Sequence, residues 1–269
     1  MATTTAAGAH APTLLTTSNP KTAKGTELGF STAILHLAPH TLAGGRTVCP
    51  YATAGCIAGC LNLAGRGGIF PKGASSNRIQ DARIRRTRYW LEDRAGFLEA
   101  LEREIQGHVN RCERAGVLPA VRLNGTSDIA WEKEAPALFE RFEGVRFYDY
   151  TKARHRARRF GVGELPPNYH LTYSRSEKTT PAGMRALLAK GVNVAAVFRE
   201  LPQWTLGDGT VLNVASVNGW PMVDGDRTDL RFTDPRGVIV ALKAKGPARR
   251  DESGFVLADA HALPNGGAA

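Results

Sequence analysis

AVRLN (Ala120–Asn124), VRFYDYT (Val145–Thr151), YHLTYS (Tyr169–Ser174) and VNVAAVF (Val192–Phe198) follow one another along the middle of the chain. Each is a short run rich in β-branched and aromatic residues, the composition of a strand buried on both faces. Helix-like stretches separate them. One lies near Lys133 to Phe142, the next is the basic run after Thr151, and the third opens with Thr180 and Pro181, an N-cap and N1 pair. Strands alternating with helices predict right-handed crossovers and a largely parallel sheet.

Two further runs extend the pattern outward. Upstream, Leu28 to Leu37 (LGFSTAILHL) reads as a strand, and Val238 to Lys243 (VIVALK) supplies another downstream. Leu91, Ala95, Leu98, Leu101, Ile105, Val109 and Cys112 recur at spacings of three and four, which predicts a long helix or helix pair. Cys112 falls on that apolar stripe and reads as a buried small hydrophobe. Six strand–helix units predict an α/β fold with a mostly parallel sheet, a partial (β/α)6-like barrel carrying an N-terminal cysteine-cluster loop. An open doubly wound sheet is the alternative. The turn-rich stretch from Pro202 to Pro235 does not fit the alternation and reads as an inserted loop or hairpin.

With 269 residues the chain can bury a full core. Residues 1–18 are Ala- and Thr-rich and read as a disordered leader, 19–250 as a single α/β domain, and 251–269 as a C-terminal tail. The leader lacks the basic start and apolar core of a signal peptide. No apolar run approaches the roughly 20 residues that span a bilayer. A cytoplasmic protein with no membrane partner is expected. The formal charge of +10 is uneven. Arg83, Arg85, Arg86 and Arg88 belong to one basic stretch, and Lys152 to Arg159 form another. Both suit an anionic substrate or nucleic acid, or simply a soluble surface.

Three of the four cysteines crowd into Cys49-Pro-Tyr-Ala-Thr-Ala-Gly-Cys56-Ile-Ala-Gly-Cys60, a C-x6-C-x3-C pattern. In a reducing compartment such clustering favours a metal over cross-links. Gly55 and Gly59 give the backbone freedom for a tight turn. Structural zinc wants four ligands, whereas a [4Fe–4S] cluster on three cysteines leaves one iron open. His36, His40 or Cys112 could complete a zinc site, though none has a typical finger spacing. Both metals, and none, stay open. An open iron is most often used in reductive cleavage of S-adenosylmethionine, for which an electron donor is required.

The stretches NPKTAKG (Asn19 to Gly25), AILHLAP (Ala33 to Pro39), CPYATAGCIAGCLNLAGRGG (Cys49 to Gly68), ARIRRTRYWLEDR (Ala82 to Arg94), RLNGTSDIAWE (Arg122 to Glu132) and FYDYTK (Phe147 to Lys152) resemble the uncharacterised phage gene product 88 family. More loosely, the order of parts is similar to phage proteins of the radical-SAM type related to spore photoproduct lyase. In these a cysteine triplet after the first strand is followed by strands ending in Ser-Asp and Thr-Lys. Here those are Cys49, Cys56 and Cys60, then Ser127 and Asp128, then Thr151 and Lys152. The usual spacing there is C-x3-C-x2-C, and Leu61 stands where an aromatic residue is common.

If the strands are parallel, their polar ends collect at one rim. Asn124, Ser127, Asp128 and Ser174 would hydrogen-bond the amino acid and ribose groups of a cofactor, and Lys152 and Arg175 would hold its carboxylate or a phosphate. Three function classes follow. The first is a radical-SAM-like iron–sulfur enzyme acting on a nucleotide, nucleic acid or peptide. The second is a zinc-stabilised nucleic-acid-binding protein without catalysis. The third is a metal-dependent nuclease using Asp128, Glu132 and Asp149. The run Asp224 to Asp229 reads as an acidic turn, since the late Glu of a calcium loop is missing.

Overall fold

The computed structural model of the chain describes residues 11–17 and 25–263. Its strands are β1 (Leu15–Thr16), β2 (Phe30–Leu35), β3 (Leu118–Arg122), β4 (Arg146–Thr151), β5 (Tyr169–Ser174), β6 (Val194–Phe198), β7 (Ala215–Val217), β8 (Trp220–Asp224), β9 (Ile239–Lys243) and β10 (Val256–Leu257). The helices among the described residues are α1 (Ala54–Ala58), α2 (Arg78–Glu92), α3 (Arg94–Ala115), α4 (Trp131–Glu134), α5 (Pro136–Arg141), α6 (Arg154–Gly161) and α7 (Pro181–Leu188). All ten strands join one sheet in the order β1-β2-β3-β4-β5-β6-β9-β8-β7, with β10 also paired to β6. From β2 to β8 every pairing is parallel. The sheet does not close on itself.

Paired positions show how the two faces are used. Ala33, Val121 and Phe147 lie in one row, and Tyr173, Val194, Ile239 and Met222 lie in another on the same face. These rows belong to the two largest buried clusters, which α2, α3 and α5 to α7 help to build. Because strand order follows chain order from β2 to β6, right-handed crossovers stack their helices on one side. The step from β8 to β9 runs backward across the sheet, so the same handedness sends it over the opposite face. There Leu230 and Phe232 cover Ala120, Tyr148 and Phe30. The turn-rich stretch is thus partly the β7–β8 hairpin and partly a plug.

Local signals set the boundaries. The expected long helix is a pair split at Asp93, whose carboxylate accepts from Gly96 N. Asn77 caps α2 by accepting from Ile79 N and Gln80 N. Gly116, at φ 65°, ends α3 in the left-handed conformation. Phe97, Trp90 and Trp131 pack together beneath that corner. Each ring removed from water contributes roughly 1.5–3 kcal/mol. Cys112 is buried on α3 as expected, beside His108.

Both ends differ from expectation. Leu15–Thr16, inside the expected leader, pairs antiparallel with β2, and Leu14 is fully buried. Residues 1–10 and 18–24 lie outside the described residues, as do 264–269. Within the expected tail, β10 pairs with Val197 and Phe198 of β6, and Phe255 and Val256 are buried. The sequence signal missed both segments because a two-residue strand has no periodicity to read.

A candidate metal centre at the strand ends

At the carboxyl ends of β3 to β6 and β9 lies a cavity of about 200 Å³. Cys49, Cys56 and Cys60 line one wall, Asn124, Ser127, Asp128, Lys152 and Ser174 another. Val197, Leu242 and Phe255 supply apolar surface, and Arg122 lines it too. All three thiols are free and half-buried. Of the nine cysteine and polar positions expected here, eight face one cavity. The ninth, Arg175, turns away and donates to the carbonyls of Gly254 and Phe255, fixing the segment that carries Phe255.

The cysteine loop is held by side chains that close its turns. Thr53 caps α1 and accepts from Cys56 N at 3.3 Å. Glu177 reaches across from the segment after β5 and accepts from Thr53 Oγ1 at 2.8 Å and Gly55 N at 3.1 Å. Beyond Cys60, the buried Asn62 amide donates to Gln80 and accepts from Arg83 at 2.6 Å. Gln80 Nε2 also donates to the carbonyls of Asn62 and Gly67. Gly55 is required by close approach, not by backbone freedom. A Cβ there would stand 2.7 Å from Phe255 Cβ and would also strike Ser253 Oγ. Neither Gly55 nor Gly59 has a positive φ.

The sulfur atoms sit among backbone donors. Cys49 Sγ accepts from His40 N at 3.3 Å, and Cys60 Sγ accepts from Asn62 N at 3.5 Å. Burial pushes the Cys49 thiol up to about 12, against the His40 N–H, and the nearby Cys60 and Cys56 add to the rise. Burial likewise raises Cys56, which Lys152 opposes, and Cys60, which the Asn62 N–H opposes. Such protonated thiols are poor nucleophiles. Among the described residues, no three His, Cys, Asp or Glu side chains stand close enough to share a single metal ion. His36, held neutral near 3 by burial and by Arg83 and Arg122, is not drawn into one. Cys112, beside His108 on α3, is not among the residues that line the cavity.

The strand-end wall is already satisfied internally. Asn124 Nδ2 donates to Ile129 O and Asp149, while its Oδ1 accepts from Ser127 Oγ and Ile129 N. Asp128 accepts from Lys152 N and pairs with Arg156 at 2.8 Å. Arg156 is 1% exposed and also pairs with Glu132 at 2.8 Å. Asp149, fully buried, accepts from Asn124 N and Tyr169 Oη, and burial pushes it up to about 7. Lys152 Nζ donates to Ser174 Oγ at 2.9 Å and to Arg175 O. In the acidic turn, Asp226 pairs with Lys245 and Asp229 with Arg122.

The basic stretches divide in the same way. Arg83 braces the cysteine loop, and Arg86 donates to Thr13 O at 2.6 Å. Arg85 and Arg88 are exposed on α2, although Arg88 Nε reaches Ala43 O at 3.4 Å. In the second stretch Arg154 and Arg158 are exposed. Glu177 and Phe255 had no motif to announce them: the fold brings Phe255 to the cavity lining and Glu177 to the loop behind it. No helix among the described residues is long and apolar enough to cross a membrane.

A profile of the family described as gene product 88 matches residues 13–259. No curated protein and no solved structure matches the chain.

Proposed function

The chain belongs to the gene product 88 family, and we propose that this member is an iron–sulfur enzyme of radical-SAM-like type. In this reading Cys49, Cys56 and Cys60 hold a [4Fe–4S] cluster, and the cavity beside them takes S-adenosylmethionine. The carrying observation is the placement of three thiols on one wall of a cavity at the carboxyl ends of parallel strands. The open sheet is then read as a (β/α)6-like partial barrel, whose chemistry sits at that rim.

Zinc would need its ligands at about 2.0–2.3 Å from one ion, and no such grouping exists among the described residues. A cluster places each cysteine on a different iron, so its ligands spread wider. The N–H groups of His40 and Asn62 at Cys49 and Cys60 would stabilise the thiolates and tune the potential. Lys152 offsets negative charge on that wall. The Ser174 hydroxyl accepts from Lys152, leaving its O–H to donate to a ligand. Asn124, Ser127 and Asp128 shape the surface on which the cofactor would rest. Val197, Leu242 and Phe255 exclude water. When bound, the cluster would supply one electron for cleavage of the sulfonium bond. The reaction's substrate is an anionic small molecule or nucleic acid.

The nuclease reading loses support because Arg156 engages Asp128 and Glu132, and Asp149 is bound to Asn124 and Tyr169. The zinc-stabilised nucleic-acid-binding reading keeps only exposed arginines such as Arg85. Metal and sulfide analysis of protein purified without oxygen tests the proposal. About four irons per chain and broad visible absorption are expected, lost in Cys49→Ser, Cys56→Ser and Cys60→Ser but kept in Cys112→Ala. Colourless protein with one zinc would overturn it.

A further inference from the structure

Tyr51 stands in the cysteine loop between Cys49 and Ala52, which both line the cavity. Its ring meets that of His155 edge-on, with centroids 5.5 Å apart. His155 lies at the start of α6, three residues after Lys152 of the opposite wall. The pair therefore bridges the two walls beside the cavity. The contact still leaves Tyr51 45% exposed, enough for a planar group to lie on the ring.

α6 continues this surface with charge. Arg154, His155 and Arg158 are all exposed, and the spacings of three and four to Arg158 put them on one side of the helix. Among the described residues neither Arg154 nor Arg158 has a carboxylate within ion-pair distance. The acids of adjoining segments are committed elsewhere. Asp128 and Glu132 pair with Arg156, Glu164 with Arg159, and Glu177 binds Thr53 and Gly55. The Arg154 guanidinium lies against the first turn of α7, 3.5 Å from where a Cβ on Gly183 would stand. Neither α6 nor α7 has an acidic residue in its first turn, although carboxylates are favoured there. The complement this surface lacks is an anion from outside the chain.

A ring beside unpaired arginines suits a nucleic-acid single strand, whose bases stack while its phosphates pair with the cations. Along α6 no large apolar side chain is exposed, so the apolar centre of a protein interface is missing. We infer that Tyr51 and the outer side of α6 receive single-stranded nucleic acid. One base stacks on Tyr51, phosphates lie along Arg154 and Arg158, and the adjoining nucleotide reaches the cavity. The inference names the substrate for the functional reading above and rests on that reading for its purpose, while the binding itself needs no metal.

A short DNA single strand carrying 2-aminopurine, mixed with the full chain, is the probe. Stacking should quench its fluorescence, and anisotropy of an end label reads the affinity. Tyr51→Leu should abolish the quench and weaken binding roughly tenfold, the worth of one base stack, whereas Tyr51→Phe should keep both. His155→Ala breaks the ring contact but spares the platform, so it should cost much less than Tyr51→Leu. Equal losses would mean that Tyr51 only pins the loop to α6, and would overturn the stacking. The double variant Arg154→Gln/Arg158→Gln should flatten the slope of log affinity against log salt by about 1.4, at roughly 0.7 per phosphate contact. Arg85→Gln/Arg88→Gln should leave slope and quench as they are, because those charges lie on α2. Duplex DNA, whose bases are already stacked, should bind more weakly. Duplex binding as tight as that of the single strand, tighter binding of anionic vesicles, or an unchanged quench in Tyr51→Leu would overturn the proposal. Metal analysis stays separate. Colourless protein that binds the strand in this way would sink the iron–sulfur reading and keep the entrance, and brown protein that ignores the strand would do the reverse.

Discussion

The two polar walls of the cavity are built on opposite principles. On the strand-end wall, Asn124, Asp128, Asp149 and Arg156 spend their hydrogen bonds on one another, and the network sits behind the surface it shapes. On the cysteine wall, two sulfurs receive only backbone N–H groups, and all three thiols are raised by burial. Folding therefore consumes the groups that sequence reading favoured as ligands at the first wall. At the second, burial still raises all three thiols, although Lys152 lies close enough to oppose the rise at Cys56 and Arg83 and Lys152 that at Cys60. Residues that the fold does not use up are the better functional candidates.

The largest effect should come from breaking the strand-end wall. Arg156→Met leaves Asp128 and Glu132 buried without their cation, which costs about 3–5 kcal/mol. Urea unfolding reads this directly, and adding Asp128→Asn with Glu132→Gln should restore most of it. A loss below 1 kcal/mol would mean that the wall is not a structural network. Next, Gly55→Ala pushes a methyl into Phe255 and Ser253, at a cost of about 1–3 kcal/mol. Iron content should fall with it, because the loop can no longer seat against the sheet.

A pH series separates the walls by sign. Burial raises Asp149 to about 7. Between about pH 4 and 7 the unfolded chain has therefore released a proton that the folded one keeps. Stability from this group is greatest below about pH 4 and falls as pH rises through 7. Asp149→Asn should flatten that slope. Glu177 runs the other way. Burial opposes its ionisation, but the Thr53 hydroxyl and the Gly55 N–H hold it below the usual carboxylate range. Its contribution is present above the unfolded value and lost in acid as pH falls through the folded one. Glu177→Gln should remove that acid limb. Monitoring the unfolding midpoint from pH 3 to 8 checks both.

The smallest effects fall on the basic helix. Arg85→Glu should change stability by no more than about 0.5 kcal/mol. Arg83→Ala should cost about 1–3 kcal/mol, since it strips a donor from the buried Asn62. Equal losses would erase the distinction between the brace and the exposed charge.

These differences also mark how far the sequence could be read. Parallel strands and their helices were legible because Val121, Phe147, Leu171 and Val194 follow the periodicity that burial imposes. The three cysteines were legible through spacing alone. Arg156 was not, since in sequence it stands between Arg154 and Arg158 and looks like one more surface charge. Burial is a property of the packed helix, and only α6 against β5 decides which arginine turns inward. Glu177 and Phe255 were hidden for another reason: their partners lie over a hundred residues away. The reversed step from β8 to β9 was invisible as well, because a turn-rich stretch does not declare which face it will cross.

That distance has a consequence in time. Cys60 leaves the ribosome 195 residues before Phe255, or roughly 10–40 s earlier at typical rates of synthesis. Throughout that interval the thiol loop has no seat, since Ser253 and Phe255, against which Gly55 closes, do not yet exist. The nascent chain thus presents three accessible thiols first and a half-buried set later.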